Sequence, residues 1–320
     1  MALQALPELD AQYRVLREGA GLLDAPPRAT LMVRGADAAD FLQGQLTNDV
    51  EALEPGAGCY AALLDRKGRI EADMRVLRFG PDEIWLDLEP EALAVVRRHL
   101  ETYKFGREVE LVDVDDQRTL ISLIGPDSAR ISAEPPAAEH AHIEAAAAGV
   151  AARVVRTPAG VDLICAAADS EQLRKGLLAA GAAEVSEAAA EILRVESGRP
   201  RLGREIGPDT LPAEAAIVDG AISFTKGCYI GQETVARLHY KGKPNRHLRG
   251  LRLSAPVEAG EPLLLDGKEL GRIGTSCISP ALGPIGLAIV RREADPGDVV
   301  EAGTSGATAT IVSLPFAEQA

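Results

Sequence analysis

From Leu248 onward, proline and glycine cut the chain into runs too short for anything but strands: 251–253, 262–265, 269–277, 285–290 and 308–312. A helix needs about ten residues, whereas a strand needs only four to eight, so this region predicts a small all-β barrel or sandwich. Asp266-Gly267 is a hairpin turn signal between two of the runs, because both residue types accept the left-handed conformation that a two-residue loop demands.

The preceding part is built differently. Its 240 or so residues mix short strands with helical patterns, which predicts α+β units with antiparallel sheets. Residues 11–24 read as a helix with a glycine turn, Pro26-Pro27 as a break, and 30–33 as a strand. Asp37 is a candidate N-cap for a helix over 38–46 with a Phe41, Leu42, Gln45, Leu46 stripe. Strands follow at 59–64, 69–79 and 84–88, joined by turns at Asp65–Gly68 and Pro81-Asp82, and a helix runs from Pro90 to Tyr103. Further strands are expected at 111–114, 118–124, 150–156 and 160–166, then helices from Asp169 or Ser170 to Gly181 and over 186–196. Residues 133–149, rich in Ala, Glu and Pro, read as a surface connection or weak helix, with His140 and His142 solvated rather than metal-binding.

Charge and cysteine usage exclude several classes. Asp and Glu outnumber Lys and Arg 48 to 34, a net charge of −14, which disfavours nonspecific attraction to nucleic acid or an anionic membrane. Locally, Arg237, His239, Lys241, Lys243, Arg246, His247 and Arg249 reverse that balance, as a solvated linker or as a rim for an anionic ligand tail or a phosphate-bearing partner. No apolar run reaches the roughly 20 residues needed to span a bilayer. Met1 to Asp10 lacks the basic region of a secretory signal and the arginines of a transit peptide. Cys59, Cys165, Cys228 and Cys277 are too scattered for a zinc or iron–sulfur site held by this chain alone, and no metal is expected. Reduced thiols in a cytoplasm, and a monomer, are the expectation.

One stretch carries chemistry: Lys226-Gly227-Cys228-Tyr229-Ile230-Gly231-Gln232-Glu233. Glycines on either side of the cysteine permit a shaped turn, a neighbouring cation favours a thiolate, and a short helix is expected from Gln232 to Leu238. Taken alone, the cysteine reads equally as a buried structural thiol in a loop. Thr47-Asn48-Asp49 closes the helix before it, either as local backbone caps or with Asp49 as a polar group on a cavity wall.

The run K-G-C-Y-I-G-Q-E closely resembles the signature of the YgfZ-type folate-binding proteins, a branch of the glycine cleavage T-protein superfamily. Residues 35–50, 64–70, 193–200 and 211–214 are also similar to that superfamily, and the match covers most of residues 30–300. The resemblance implies a three-domain ring around a channel that binds tetrahydrofolate or a one-carbon derivative. It implies a discontinuous α+β folate-binding domain over 1–50 and 116–240, an inserted α+β domain over 51–115, and a C-terminal β-barrel domain over 241–320. Glu196 matches the superfamily glutamate that holds the pterin, and a carboxylate suits the parallel N–H groups of an amino-pyrimidine edge. Asp49, Asp73 and Arg199 complete the implied cofactor-binding set. Cys228 is the implied working thiol, with Lys226 stabilising its thiolate and Gln232 and Glu233 positioning it or capping the following helix.

T-proteins carry an adjacent Asp pair after a Gly-Gly turn. Here that place reads Glu71-Ala72-Asp73, with one Asp missing, and the cysteine at 228 has no T-protein counterpart. The implied function is therefore a folate-dependent accessory protein that supports iron–sulfur assembly or repair in client enzymes, tRNA-modifying ones included. Client enzymes or assembly proteins would be its partners. The alternatives are a folate-dependent aminomethyltransferase, with Asp49 or Asp73 as general base, and a non-catalytic folate-sensing docking module.

Overall fold

Alternation of apolar and polar residues governs the first sheet-forming segments. In Ile70–Gly80, Ala72, Met74 and Val76 are buried while Glu71, Asp73 and Arg75 point the other way, as a strand with two unlike faces requires. A computed structural model describes residues 6–24, 28–114 and 116–316. The expected break at Pro26-Pro27 lies outside the described residues. The chain divides into two compact units, one of residues 1–64, 71–190 and 220–230, the other of 65–70, 191–219 and 231–320.

In chain order the first unit contains α1 (Leu6–Glu18), β1 (Gly21–Asp24), β2 (Ala29–Arg34), α2 (Ala38–Gln45), β3 (Gly58–Leu64), β4 (Ile70–Gly80), β5 (Glu83–Leu88), α3 (Pro90–Tyr103), β6 (Glu110–Asp113) and β7 (Arg118–Ile124). It continues with α4 (Ser128–Ile131), β8 (His142–Ala147), β9 (Val150–Thr157), β10 (Gly160–Ala166), α5 (Ser170–Ala179), β11 (Ala183–Glu184) and the start of α6 (Glu187–Glu196). Two sheets result, in the orders β11-β1-β7-β10-β9-β8 and β3-β4-β5-β2-β6. Pairing is antiparallel except for β1 with β11, which is parallel. Leu22, Leu123, Val154 and Leu163 of the first sheet pack with Leu173 and Leu177 of α5. Met32, Leu77 and Trp85 of the second sheet meet Val155 and Ile164 of the first in a shared apolar layer. Each such side chain contributes about 1.5–3 kcal/mol of burial.

The second unit holds the end of α6, α7 (Val218–Ala221) in part, α8 (Gln232–Lys241) and six strands: β12 (Arg246–Leu253), β13 (Pro262–Leu265), β14 (Lys268–Ser279), β15 (Gly283–Arg291), β16 (Val299–Ala302) and β17 (Ala307–Val312). They close into an antiparallel barrel, β12-β15-β14-β13-β16-β17. Leu251, Leu253, Ile273, Val290 and Ile311 fill its interior. Closure leaves no free sheet edge. Asp266 and Gly267 both have positive φ, 51° and 75°, as the hairpin signal requires. The architecture is thus two α+β sheets and a closed six-stranded barrel.

Several expectations change. The helix read over 11–24 is α1 followed by a strand, β1, that feeds the first sheet. Asp37 makes no side-chain cap; its carboxylate accepts the Glu108 N–H at 2.8 Å instead, fastening the start of α2 to the loop ahead of β6. The strand order sets β2 beside β5 and β6, so a domain boundary at 51 separates β2 from the strands it pairs with. Residues 142–147 form an edge strand, not a loop or helix.

His140 and His142 are buried, at 7% and 2% exposure, and not solvated. His142 lies in a stack: Trp85 and Phe79 face each other at 4.2 Å, Phe79 meets His142 at 5.0 Å, and the Arg153 guanidinium covers Phe79 at 4.3 Å. Burial and, secondly, Arg153 push the His142 pKa down to about 4. The folded chain therefore keeps this ring neutral where the unfolded chain, near 6.5, takes up a proton. Its stabilising neutrality is present above about pH 6.5 and is lost as pH falls towards 4, at no more than about 1.4 kcal/mol per pH unit. Urea unfolding at pH 7, 6, 5 and 4 is expected to show this slope in wild type and a shallower one in His142→Gln. Equal slopes would remove His142 from the acid response.

Candidate functional site

A hairpin brings the first candidate group together. β3 and β4 are neighbours, and the Tyr60 hydroxyl donates to Asp73 Oδ2 at 2.5 Å. Asp73 Oδ1 is shut off from solvent and has no hydrogen-bond partner. Burial pushes the Asp73 carboxyl up, Tyr60 and Arg28 oppose that, and Glu89 adds to it, for a net upward shift. Arg28 itself is committed to Asp87, at 2.8 Å, and Glu89, at 3.0 Å. Folded proteins rarely leave such an oxygen unsatisfied, which sets Asp73 apart from the ion-paired Asp87 beside Arg28.

The turn after α2 supplies the second group. Asn48 Nδ2 donates to the carbonyls of Tyr60 and Gly220, at 2.8 and 3.1 Å, tying this turn to β3 and to the chain leading into the cysteine stretch. Thr47 Oγ1 donates to the Ala221 carbonyl at 2.6 Å and accepts the Ala62 N–H at 2.8 Å. Asp49 Oδ1 accepts from Gln43 Nε2 at 2.9 Å and from the Ala52 N–H at 3.3 Å, so this carboxylate serves the local turn.

Lys226 enters the same place from 180 residues away. Its ammonium donates to the carbonyls of Gln43, Leu46, at 2.7 Å, and Asn48, at 3.2 Å. A helix end leaves such carbonyls without partners, and a buried cation satisfies them. Burial pushes Lys226 down to about 8 against the pull of Asp49, Cys59 and Glu51. The expected pairing of Lys226 with the Cys228 thiol thus gives way to a structural one, since its donors are spent on the end of α2. Its ring neighbour is Tyr229, 5.1 Å away, whose hydroxyl burial pushes up to about 12. The thiol that feels Lys226 is Cys59, which burial nonetheless pushes up to about 12, leaving it protonated. Cys228 is exposed, in an irregular stretch ahead of the Gly231 turn.

Glu196, Arg199, Gln232 and Glu233 belong to the second unit. Glu196 ends α6, and its Oε1 accepts the Ser279 hydroxyl of β14 at 2.5 Å. Its backbone carbonyl accepts the Phe316 N–H at 3.2 Å. Nearby Cys277 is pushed up to about 12, by burial and then by Glu196. Arg194 fixes this end of α6 through Glu191, at 2.7 Å, the fully buried Glu205, at 3.0 Å, and Thr275 Oγ1, at 2.7 Å. Arg199 is exposed. Gln232 opens α8 after Gly231, whose φ of 84° makes the turn, and Glu233 lies in the first turn where a negative charge suits the helix dipole. The N-cap itself makes no side-chain hydrogen bond. Among the described residues no group of three or more His, Cys, Asp or Glu is placed to hold a metal ion. No helix among them is long and apolar enough to cross a membrane.

Tyr60, Asn48 and Cys59 were not anticipated as site residues. Tyr60 was within reach, because the turn at 65–68 folds β3 back along β4 and brings the neighbourhood of 60 beside that of 73.

A two-sheet α+β unit followed by a small closed barrel is the plan of the glycine cleavage T-protein fold, and the comparisons with known proteins agree. Residues 4–226 match the GCVT N-terminal domain and residues 246–318 the glycine cleavage T-protein C-terminal barrel domain. The chain belongs to the glycine cleavage T-protein family. An aminomethyltransferase of Geobacillus kaustophilus is 30% identical over 339 aligned positions, covering 97% of this chain and 90% of that one. A chloroplastic protein of Arabidopsis thaliana is also 30% identical, over 86% of this chain, which spans 66% of that protein's length. The crystal structure of the glycine cleavage system aminomethyltransferase T from Bartonella henselae has the same fold, with a TM-score of 0.87 at 24% identity over 100% of this chain and 92% of that one.

Proposed function

We propose that this protein binds tetrahydrofolate or a one-carbon derivative and acts as an accessory factor of the YgfZ type, supporting iron–sulfur assembly or repair in client enzymes. The observation that carries the folate reading is the shielded, unpartnered Oδ1 of Asp73. A reduced pterin is rich in N–H donors, and each fits an acceptor that the fold leaves unused. Glu196, held at the end of α6 by Ser279, is the carboxylate that the family resemblance assigns to the pterin. The working thiol in this reading is Cys228, exposed within K-G-C-Y-I-G-Q-E. A single thiol cannot hold a cluster alone, so its role is to attack or to carry, with a client supplying the other ligands. The cytoplasm is the proposed setting.

Calorimetric titration of tetrahydrofolate into wild type and Glu196→Ala tests the folate part. Binding to wild type is expected, weakened roughly tenfold or more in the variant by loss of a charged acceptor. Equal affinities would remove Glu196 from the site. In a deletion strain, wild type but not Cys228→Ala is expected to restore client iron–sulfur activity, and full rescue by the variant would sink the thiol's role.

A second reading is an aminomethyltransferase. It is favoured by relatives of that name at 25–31% identity and by the upward shift of the Asp73 carboxyl, the direction that makes a carboxylate a better base. Turnover of a methylamine donor with tetrahydrofolate by the purified protein would establish it.

A further inference from the structure

Within the second unit, alternate residues of β14 fasten the strand to the end of α6. The pairing of β14 with β15 shifts register between Ile273 and Thr275, and a bulge of this kind re-aims the side chains beyond it. Ile273 packs inside the barrel, whereas Cys277 packs with the apolar cluster of Val195, and Thr275 and Ser279 bond to Arg194 and Glu196. Gly274 makes room at the bulge, since a Cβ there would stand 2.9 Å from Glu205 Cγ. Glu205 thereby reaches Arg194, the residue that anchors this end of α6.

Ser279 is 1% exposed, and the whole capacity of its hydroxyl is used. The oxygen accepts the N–H groups of Ala281, at 3.1 Å, and Leu282, at 3.0 Å, in the turn that leads to β15. A hydroxyl has two acceptor positions and one proton. With both positions filled by main-chain donors, the proton goes to Glu196 Oε1, at 2.5 Å. A proton on Oε1 would face a group with no acceptor left. The turn after β14 therefore dictates that Glu196 stands there as a carboxylate that only accepts. Cys277 beside it stays a neutral thiol and adds no competing charge.

An ionised carboxylate has about four acceptor positions, and Ser279 takes one and orients the rest. We propose that Ser279 is the positioning residue of the pterin site: it holds Glu196 in one rotamer as an obligate acceptor, so that the site selects a ring edge with two adjacent N–H donors over an edge that has lost one. The assignment rests on the folate reading above and adds to it the residue that sets selectivity. Without the hydroxyl the carboxylate is free to turn towards whatever donor is present, and a site that adapts discriminates less.

Calorimetric titration of tetrahydrofolate, and of its analogue with methyl in place of the 2-amino group, into wild type, Ser279→Ala and Ser279→Cys tests this. Wild type is expected to prefer tetrahydrofolate roughly a hundredfold, because the analogue leaves a fixed acceptor unpaired. In Ser279→Ala that preference is expected to shrink to roughly tenfold or less. Ser279→Cys, with a weaker donor of similar size, should fall between, and it carries the test if the alanine variant does not fold. Equal loss of affinity for both ligands, with the preference intact, makes Ser279 a structural residue only and overturns the proposal. Ligand-free crystal structures form a second arm. Glu196 is expected in one rotamer against Ser279 in wild type, and turned away or in several rotamers in the variant. A Glu196 side chain that keeps its place without the hydroxyl overturns the proposal whether or not folate binds. Failure of tetrahydrofolate to bind wild type overturns the folate reading and the selectivity with it, while the crystal structures alone then decide the hold of Ser279 on Glu196.

Discussion

Arg75→Leu is expected to destabilise the protein by about 3–5 kcal/mol, the largest effect of any single substitution considered. Arg75 lies on β4 and Asp87 beside it on β5, in register, with Nε donating to Asp87 Oδ2 at 2.5 Å. Its Nη1 reaches Asp162 Oδ2 of β10, in the other sheet, also at 2.5 Å. Asp162 in turn accepts the Ser122 hydroxyl at 2.6 Å, and Asp87 accepts from Arg28. Burial works to raise Asp87, but Arg28 and Arg75 overcome it and the carboxyl is held below its ordinary range. Leucine keeps much of the volume and leaves Asp162 with one neutral donor, a buried charge without its counter-ion. A unit of this size should lose roughly 10 °C in melting temperature. Arg75→Lys should recover only part, since an ammonium lacks the planar fork that serves two carboxylates. Adding Asp162→Asn to Arg75→Leu should restore some stability by removing the stranded charge. A melting temperature unchanged in Arg75→Leu would mean the cation adds nothing to sheet packing.

Asp73→Asn is expected to act in opposite directions on stability and on binding. The carboxyl is raised in the folded state, so it binds a proton there at pH values where the unfolded chain has lost it. The stability this confers is fully present below the unfolded value near 3.8 and is lost as pH rises through the folded value. Asparagine keeps an acceptor for Tyr60 and removes the buried charge. The variant should therefore melt a few degrees higher than wild type at pH 8, in line with the roughly 1–3 kcal/mol attached to an unsatisfied buried group, and no higher at pH 4. Folate affinity should fall by one to two orders of magnitude, about 1.5–3 kcal/mol, because a charged acceptor is lost. Stabilisation with unchanged affinity would separate Asp73 from the ligand. Destabilisation at pH 8 would mean that the charge has a partner inside the fold. Residues that cost stability and serve binding are common at working sites.

Much of this was readable beforehand, for reasons that differ by element. β4 and α3 announce themselves by period, alternate burial in the strand and Ala92, Val96 and Leu100 at four-residue spacing in the helix, while β5 is a short run buried on both faces. β8 does not, because His142–Ala147 is an edge strand of alanines with glutamate outward, and alanine has no preference for a sheet. β1 is four residues long and follows a helix without a proline to separate them. β16 is equally short and was missed. Of the candidate residues, Cys228 is exposed, and of its two glycines only Gly231 takes the left-handed turn conformation. The work of Lys226 was illegible because its partners are main-chain carbonyls, which no residue type advertises. The burial of His142 was hidden for a related reason, since Phe79, Trp85 and Arg153 reach it from other strands.

The interleaving of the two units along the chain constrains how the protein is made. The first unit is interrupted at 65–70 and again at 191–219, and closes only with 220–230, where Lys226 seals the end of α2. A ribosome must therefore deliver about 230 residues before that unit can finish, and the hexapeptide 65–70 waits more than 120 residues for the first of its companions. Sequential, one-domain-at-a-time maturation is closed to such a chain, and no single cut in its gene yields either half intact. Inserting or circularly rearranging segments near 64, 70, 190, 219 or 230 disturbs both halves at once, so heritable change is steered to the outer loops of each.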